Sequence, residues 1–211
     1  AYLSPKLDLK TSGSLYLYDN QNGLIYQGSR SNEWANLEDI SQYLIDAVVA
    51  VEDKNFYNHH GFDYPRIAKA MLTNIKKKAI VQGASTISQQ YIKNLYLDFD
   101  KTWERKIEEA FLTLELEVHY NKDEILELYL NTSYFGNGFY SVKSASLGYF
   151  NKLPKDMNDS ESIMLAGIPN APSLYNPIQN KNLAIERQRQ VINKMIKYGN
   201  LDKVEAEKII K

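Results

Sequence analysis

The chain contains no cysteine, which excludes disulfides and thiolate chemistry but leaves the compartment open. No apolar run approaches the ~18 residues of a membrane-spanning helix, and no signal-peptide pattern is visible. Neither charge is in excess: 25 Lys and Arg face 26 Asp and Glu, a net charge of −1. Nucleic acid therefore gains no support as a partner. Histidine is scarce, with three in all, two of them adjacent at His59-His60-Gly61. There is no helical His-x-x-x-His pair and no third ligand at a recognisable spacing, so the pattern suits a packed or hydrogen-bonding histidine at a turn rather than zinc. Internal repeats and low-complexity tracts are absent as well.

What remains is a chain of 211 residues, 44% hydrophobic, enough for one good-sized domain or for one domain with an appended lobe. Residues 14–27 read as two short β segments around Asp19-Asn20-Gln21-Asn22-Gly23, a hairpin signal. From about residue 36 the pattern turns helical. Leu37, Ile40, Leu44 and Val48 open a helix that ends near Glu52, and others cover about 65–78 and the stretch after Ser85-Thr86. The longest predicted helix runs from about Thr102 to Tyr120, with Trp103, Ile107, Phe111, Leu114 and Val118 on one stripe. Asn121 with Glu124 reads as a capping arrangement for a helix through Leu130. Further helices fit 160–168 and 181–198; Gly199 suits the stop, and Asp202 with Glu205 caps a short last one. The expected fold is mainly α: residues 1–35 form an extension carrying the hairpin, and residues 36–211 form the principal domain.

Glu52 ends the apolar run Leu44–Val51. On a helix it shares the face of Val48 and Val49, four and three residues earlier. A carboxylate in apolar surroundings is costly. Burial disfavours the charged form, and a carboxylate so perturbed can serve as a general base near neutral pH.

Two polar strings follow. In Gly83-Ala84-Ser85-Thr86-Ile87-Ser88-Gln89-Gln90, Ser85 or Thr86 can cap a helix. Gln89 and Gln90 offer amides suited to sugar hydroxyls and acetamido groups, and Lys93 shares the face of Gln89. A capped surface helix would carry the same Ser-Thr pair. Lys101, Arg105 and Lys106 gather at the start of the long helix, where cations and a helix N-terminus can hold phosphate. Glu109, four residues after Arg105, reads either as an intrahelical ion pair worth a few tenths of a kcal/mol or as a second acid that orients cations or a metal. Between the strings, Ile67/Ala68, Met71/Leu72 and Ile75 recur at helical spacing beside Arg66, Lys69 and Lys76-Lys77-Lys78. That is the pattern of an interfacial helix near anionic lipid, and equally of a surface helix with a basic end.

Taken in order, these strings resemble the peptidoglycan glycosyltransferases (transglycosylases) of glycosyltransferase family 51. Glu52-Asp53-x-x-Phe56-x-x-His59-x-Gly61 is similar to the first family motif. Gly83-x-Ser85-Thr86-Ile87-x-Gln89-Gln90, with Lys93-Asn94, is similar to the second. Arg105-Lys106-x-x-Glu109 resembles the third, Lys122-x-Glu124-Ile125-Leu126-Glu127-x-Tyr129-Leu130-Asn131 the fourth and Arg187-x-x-x-Val191-Ile192 the fifth. Leu165–Ser173 also fits. Five motifs in register over residues 40–198 are far more specific than any one.

The resemblance implies a lysozyme-like large lobe with a small membrane-associated jaw lobe at about residues 62–82. It implies polymerisation of lipid II into β-1,4 glycan strands, with inversion at MurNAc C1 and release of undecaprenyl pyrophosphate. In its terms Glu52 is the general base and Glu109 the second essential acid, the latter beside pyrophosphate or a Mg²⁺ or Mn²⁺ ion. Asp53, Ser85, Thr86, Gln89, Gln90, Lys93, Lys101, Arg105, Lys106, Asn170 and Arg187 fall at substrate-binding positions, where moenomycin-type inhibitors also bind. Implied partners are lipid II, the lipid-linked glycan strand, the membrane surface, and a transpeptidase domain or cell-wall synthesis proteins. The implied location is the outer face of the bacterial cytoplasmic membrane, with an N-terminal transmembrane anchor that this chain lacks.

Departures from the family pattern, at Ser141, Ser146 and Asn151, lie in the packing region after the fourth motif. Ser-x-x-Lys and Lys-Thr-Gly, the marks of a penicillin-binding transpeptidase, do not occur. Two other classes compete. A lysozyme-like glycoside hydrolase or lytic transglycosylase would need two carboxylates about one bond and no cationic leaving-group site. A non-catalytic cell-wall binding module would not need Glu52 at all.

Overall fold

The structure is a computed structural model that describes residues 14–18, 24–29, 34–79, 83–95 and 103–210. Strands β1 (Ser14–Tyr18) and β2 (Leu24–Ser29) pair antiparallel, with Ser14 opposite Ser29 and a register shift between Leu17 and Tyr18. The turn predicted at 19–23 lies outside the described residues. All other regular elements among the described residues are helical.

The first helix starts later than its apolar periodicity suggests. Leu37–Asp39 is a short 3-10 turn, Ile40 is extended, and α1 spans Gln42–Glu52 behind Ser41. Tertiary bonds break the pattern there: the Leu37 amide donates to Glu127 Oε2 at 3.0 Å and the Ser41 amide to the Pro154 carbonyl at 3.2 Å. Beyond that point α1 is apolar on nearly every side. Leu44, Ile45, Ala47, Val48, Ala50 and Val51 are all buried, as befits a helix inside a bundle. It packs against α7 (Asp159–Gly167) and α8 (Lys181–Tyr198).

A second central helix, α5 (Lys122–Thr132), buries every residue from Ile125 to Asn131. Its capping box is complete: Asn121 Oδ1 accepts the Glu124 amide at 2.9 Å and Glu124 Oε2 accepts the Asn121 amide at 2.8 Å. The anticipated Asp202–Glu205 cap forms at the start of α9 (Lys203–Ile210) in the same reciprocal way. The helices α3 (Ile87–Leu95) and α4 (Trp103–His119) pack beside α5, and α6 (Val142–Phe150) follows it.

Two helices turn apolar stripes outward. In α2 (Tyr64–Lys77) only Ala70 is buried, whereas Tyr64, Ala68, Met71, Leu72 and Ile75 form an exposed stripe flanked by exposed Lys69, Lys76 and Lys77. On α4 the stripe Ile107, Phe111, Leu114, Val118 is exposed too, while Thr113 and Leu116 on the opposite side are buried. Helical periodicity identifies an apolar face but not what lies against it. No helix among the described residues is long and apolar enough to cross a membrane.

Candidate active site

Glu52 is the last residue of α1 and is only 6% exposed. Its two oxygens have different surroundings. Oε2 accepts from Gln90 Nε2 of α3 at 3.2 Å, and the Gln90 carbonyl accepts from the Tyr129 hydroxyl of α5 at 3.3 Å. Oε1 is buried, accepts no hydrogen bond, and lies 3.7 Å from Arg187 Nη2 of α8. The carboxylate thus meets polar groups from α3 and α8, and α5 reaches it through Gln90.

Arg187 is itself 8% exposed. Its Nε donates to the Gly167 carbonyl at 3.3 Å, its Nη1 to Gln190 Oε1 at 3.2 Å, and the guanidinium lies over the Tyr175 ring at 5.3 Å. Gly167 makes room for it: a Cβ there would stand 2.9 Å from Arg187 Cγ.

Asp53, the next residue, faces the other way. It is fully buried; Oδ2 accepts the Ile87 amide at 3.0 Å and lies 2.9 Å from His59 Nε2, with Arg66 Nη1 3.6 Å from Oδ1. It therefore satisfies an N-terminal amide of α3 and anchors the His59 turn. Thr86 and Gln89 have similar work: Thr86 Oγ1 donates to the Gly61 carbonyl at 2.7 Å, and the Thr86 amide donates to Gln89 Oε1 at 3.1 Å. The Gln89 amide returns a bond to Thr86 Oγ1 at 3.2 Å, closing a capping box of the Thr-x-x-Gln kind. Gly61, at φ +86°, permits this turn, and a Cβ there would meet Thr113 Cγ2 at 3.0 Å. These motif residues fix where α3 begins, and so where Gln90 meets Glu52.

Ser85 and Lys93 are exposed at the two ends of this region, as is Asn170 on the 3-10 turn Ile168–Asn170 after α7. Lys106 and Glu109 form an exposed ion pair on α4. The ion-pair reading gives Glu109 the partner Arg105, whose backbone lies in the first turn of α4 but whose side chain, like all of Lys101, lies outside the described residues. Among the described residues no three His, Cys, Asp or Glu side chains cluster as a metal site.

Lys194 is a site residue that the five motifs do not include. It donates to the Val51 carbonyl at 2.9 Å, at the end of α1 beside Glu52. Burial first, then the Arg187 charge, push its pKa down, while Glu52 opposes the shift. The signal was available: Lys194 follows Arg187 by seven residues, two helical turns along one face.

A transglycosylase family model matches residues 21–196, a span that contains every motif and every site residue described. The chain belongs to the transglycosylase family. It is an enzyme domain of the peptidoglycan glycosyltransferase class. Penicillin-binding protein 2D of Bacillus subtilis (strain 168) is 46% identical over 208 residues, covering 99% of this chain and 30% of that protein. Penicillin-binding protein 1A of Neisseria flavescens is 40% identical over 210 residues, covering 100% of this transglycosylase and 26% of that protein. The crystal structure of penicillin-binding protein 1A from Haemophilus influenzae matches with a TM-score of 0.53 at 23% identity, over 96% of this chain and 21% of that one. At that identity the match shows the fold alone. The transglycosylase spans less than a third of the length of these curated relatives.

Proposed function

We propose that this transglycosylase polymerises lipid II into β-1,4 glycan strands at a membrane surface, with inversion at MurNAc C1 and release of undecaprenyl pyrophosphate. The observation that carries the reading is the divided environment of Glu52. Gln90 holds Oε2, and Oε1 accepts no hydrogen bond and lies within the field of Arg187. An oxygen so placed can take the proton from the 4-hydroxyl of an acceptor GlcNAc as that oxygen attacks C1 of the donor. Exposed Ser85 and Asn170, half-buried Gln90 and the Arg187 edge are offered as donor-sugar contacts.

The leaving pyrophosphate develops negative charge and needs cations. Lys93, Lys101, Arg105 and Lys106 are assigned to it on the motif match. Glu109 would hold a divalent cation, Mg²⁺ or Mn²⁺, with pyrophosphate oxygens completing the donor set; when bound, such an ion supplies charge neutralisation at the leaving group. The outward stripe of α2 and its lysines are assigned to the lipid surface, as part of a jaw lobe. In the cell the domain would act outside the cytoplasmic membrane, as part of a longer anchored protein with a transpeptidase or other wall-building partner.

A hydrolase on this scaffold would need a second carboxylate across the scissile bond. Asp53, the one adjacent in sequence, is committed to the Ile87 amide and His59.

Glu52→Gln keeps shape and removes the base. Incubated with lipid II, the variant should fall at least about 100-fold in polymer and pyrophosphate release while still binding lipid II. Retention of most of the rate would end the assignment, and cleavage of preformed glycan by the unaltered chain would favour the hydrolase.

A further inference from the structure

We propose that Tyr129 is a positioning residue for the base: its hydroxyl holds the Gln90 amide in the one orientation that donates to Glu52. The proposal rests on the reading of Glu52 as general base.

A glutamine amide has an accepting end and a donating end, and rotation about its last bond exchanges them. In this site the choice is settled by the neighbour. Tyr129 is 1% exposed and its hydroxyl lies 3.3 Å from Gln90 Oε1. Burial, then the charge of Glu52, hold the phenol pKa far above its ordinary value, so it remains a donor throughout the working range. The hydroxyl donates to the carbonyl end, and Nε2 is left to face Glu52 Oε2 at 3.2 Å.

That orientation selects a protonation state. An NH₂ group stabilises a carboxylate and cannot accept from a carboxylic acid. Without the phenol, the amide is free to turn and accept a proton from a neutral Glu52, favouring the form that cannot act as base. The bond also occupies Oε2, so Oε1 is the oxygen offered to an incoming hydroxyl.

The other charged groups near Glu52 do not bond Oε2. Arg187 of α8 faces Oε1 at 3.7 Å, and Lys194, also of α8, is bonded to the Val51 carbonyl. Asp53 is turned toward α3 and His59, and Arg66 of α2 lies against Asp53. The hydrogen bond to Oε2 comes from Gln90.

Tyr129→Phe keeps the ring and removes the hydroxyl. With lipid II as substrate, kcat should fall roughly three- to tenfold with KM unchanged, and the acid limb of the kcat profile should move to higher pH. In a Gln90→Ala background the same substitution should change kcat no further. Effects of the two substitutions that multiply, or a loss of kcat with the acid limb unmoved, would overturn the proposal. A titration of the Glu52 carboxyl by ¹³C NMR needs no substrate. Upward displacement in Tyr129→Phe is expected, and an unmoved titration overturns the proposal whatever the polymerisation assay shows. Gln90→Leu removes the bond from the other side and should give the same upward displacement, which covers the case in which Tyr129→Phe does not fold.

Discussion

The Nη2 atom of Arg187 stands 3.7 Å from Oε1 of Glu52, and it can do so because residue 167 has no side chain. The arginine lies in the α7–α8 interface, its Nε bonded to the Gly167 carbonyl and its plane over Tyr175. The fifth motif and the Leu-Ala-Gly stretch are thus one device: the glycine opens the channel through which the arginine reaches Glu52. Packing of this kind holds a charge in place at lower entropic cost than a mobile surface side chain would.

Gly167→Ala tests the device. A methyl 2.9 Å from Arg187 Cγ must displace the arginine or the helix. Overpacking of this sort costs about 1–3 kcal/mol. Thermal unfolding should show that loss, and turnover of folded protein should drop along with it; unchanged turnover would mean that Arg187 does not need this path.

Asp63 caps α2, accepting the Arg66 amide at 3.0 Å and the Asn55 amide at 2.7 Å. Burial works to raise its pKa, but these bonds, together with His59 and the Arg66 charge, outweigh it and the net shift is downward. A carboxyl with a lowered folded pKa adds stability above its unfolded value of about 3.9 and loses it as pH falls through the folded value. Asp63→Ala should therefore cost about 1 kcal/mol at pH 7, and the gap from the parent should narrow below about pH 4. Melting curves at both pH values check it; a gap independent of pH would remove the charge from the explanation.

Lys93 is exposed and sits at the last turn of α3. If it stabilises the leaving pyrophosphate, Lys93→Ala should lower kcat by about 10- to 100-fold at saturating lipid II and leave the melting temperature in place. A change in KM alone would move it from charge stabilisation to substrate binding.

Leu72 is 61% exposed on the outward stripe of α2. Leu72→Asp should change stability by less than about 0.5 kcal/mol, as exposed substitutions do. Sedimentation with vesicles containing anionic lipid should decrease for the variant. Equal sedimentation of variant and parent would show that this stripe is not a lipid contact.

Much of the site was readable because its motifs state local rules. Glu52 stood out as an acid on an apolar helical face, and the caps at Asn121/Glu124 and Asp202/Glu205 follow from side chains bonding amides within one turn. Less readable was the division of labour inside the motifs. Asp53, Thr86 and Gln89 look like substrate contacts in a string, yet their hydrogen bonds go to Ile87, Gly61 and each other. Polar residue types announce that a bond will be made, not with what.

By itself the sequence determined most of the helices, several of their caps, the family and the acid at the end of α1, since each depends on residues within a few turns or on an ordered string of motifs. Only the tertiary structure decided which oxygen of Glu52 is held and which is not, because Gln90, Tyr129 and Arg187 come from three helices, each at least 38 positions from the acid along the chain. It also decided that the apolar stripes of α2 and α4 face outward. Periodicity fixes a face relative to its own helix axis, and packing alone turns that face toward the core or away from it.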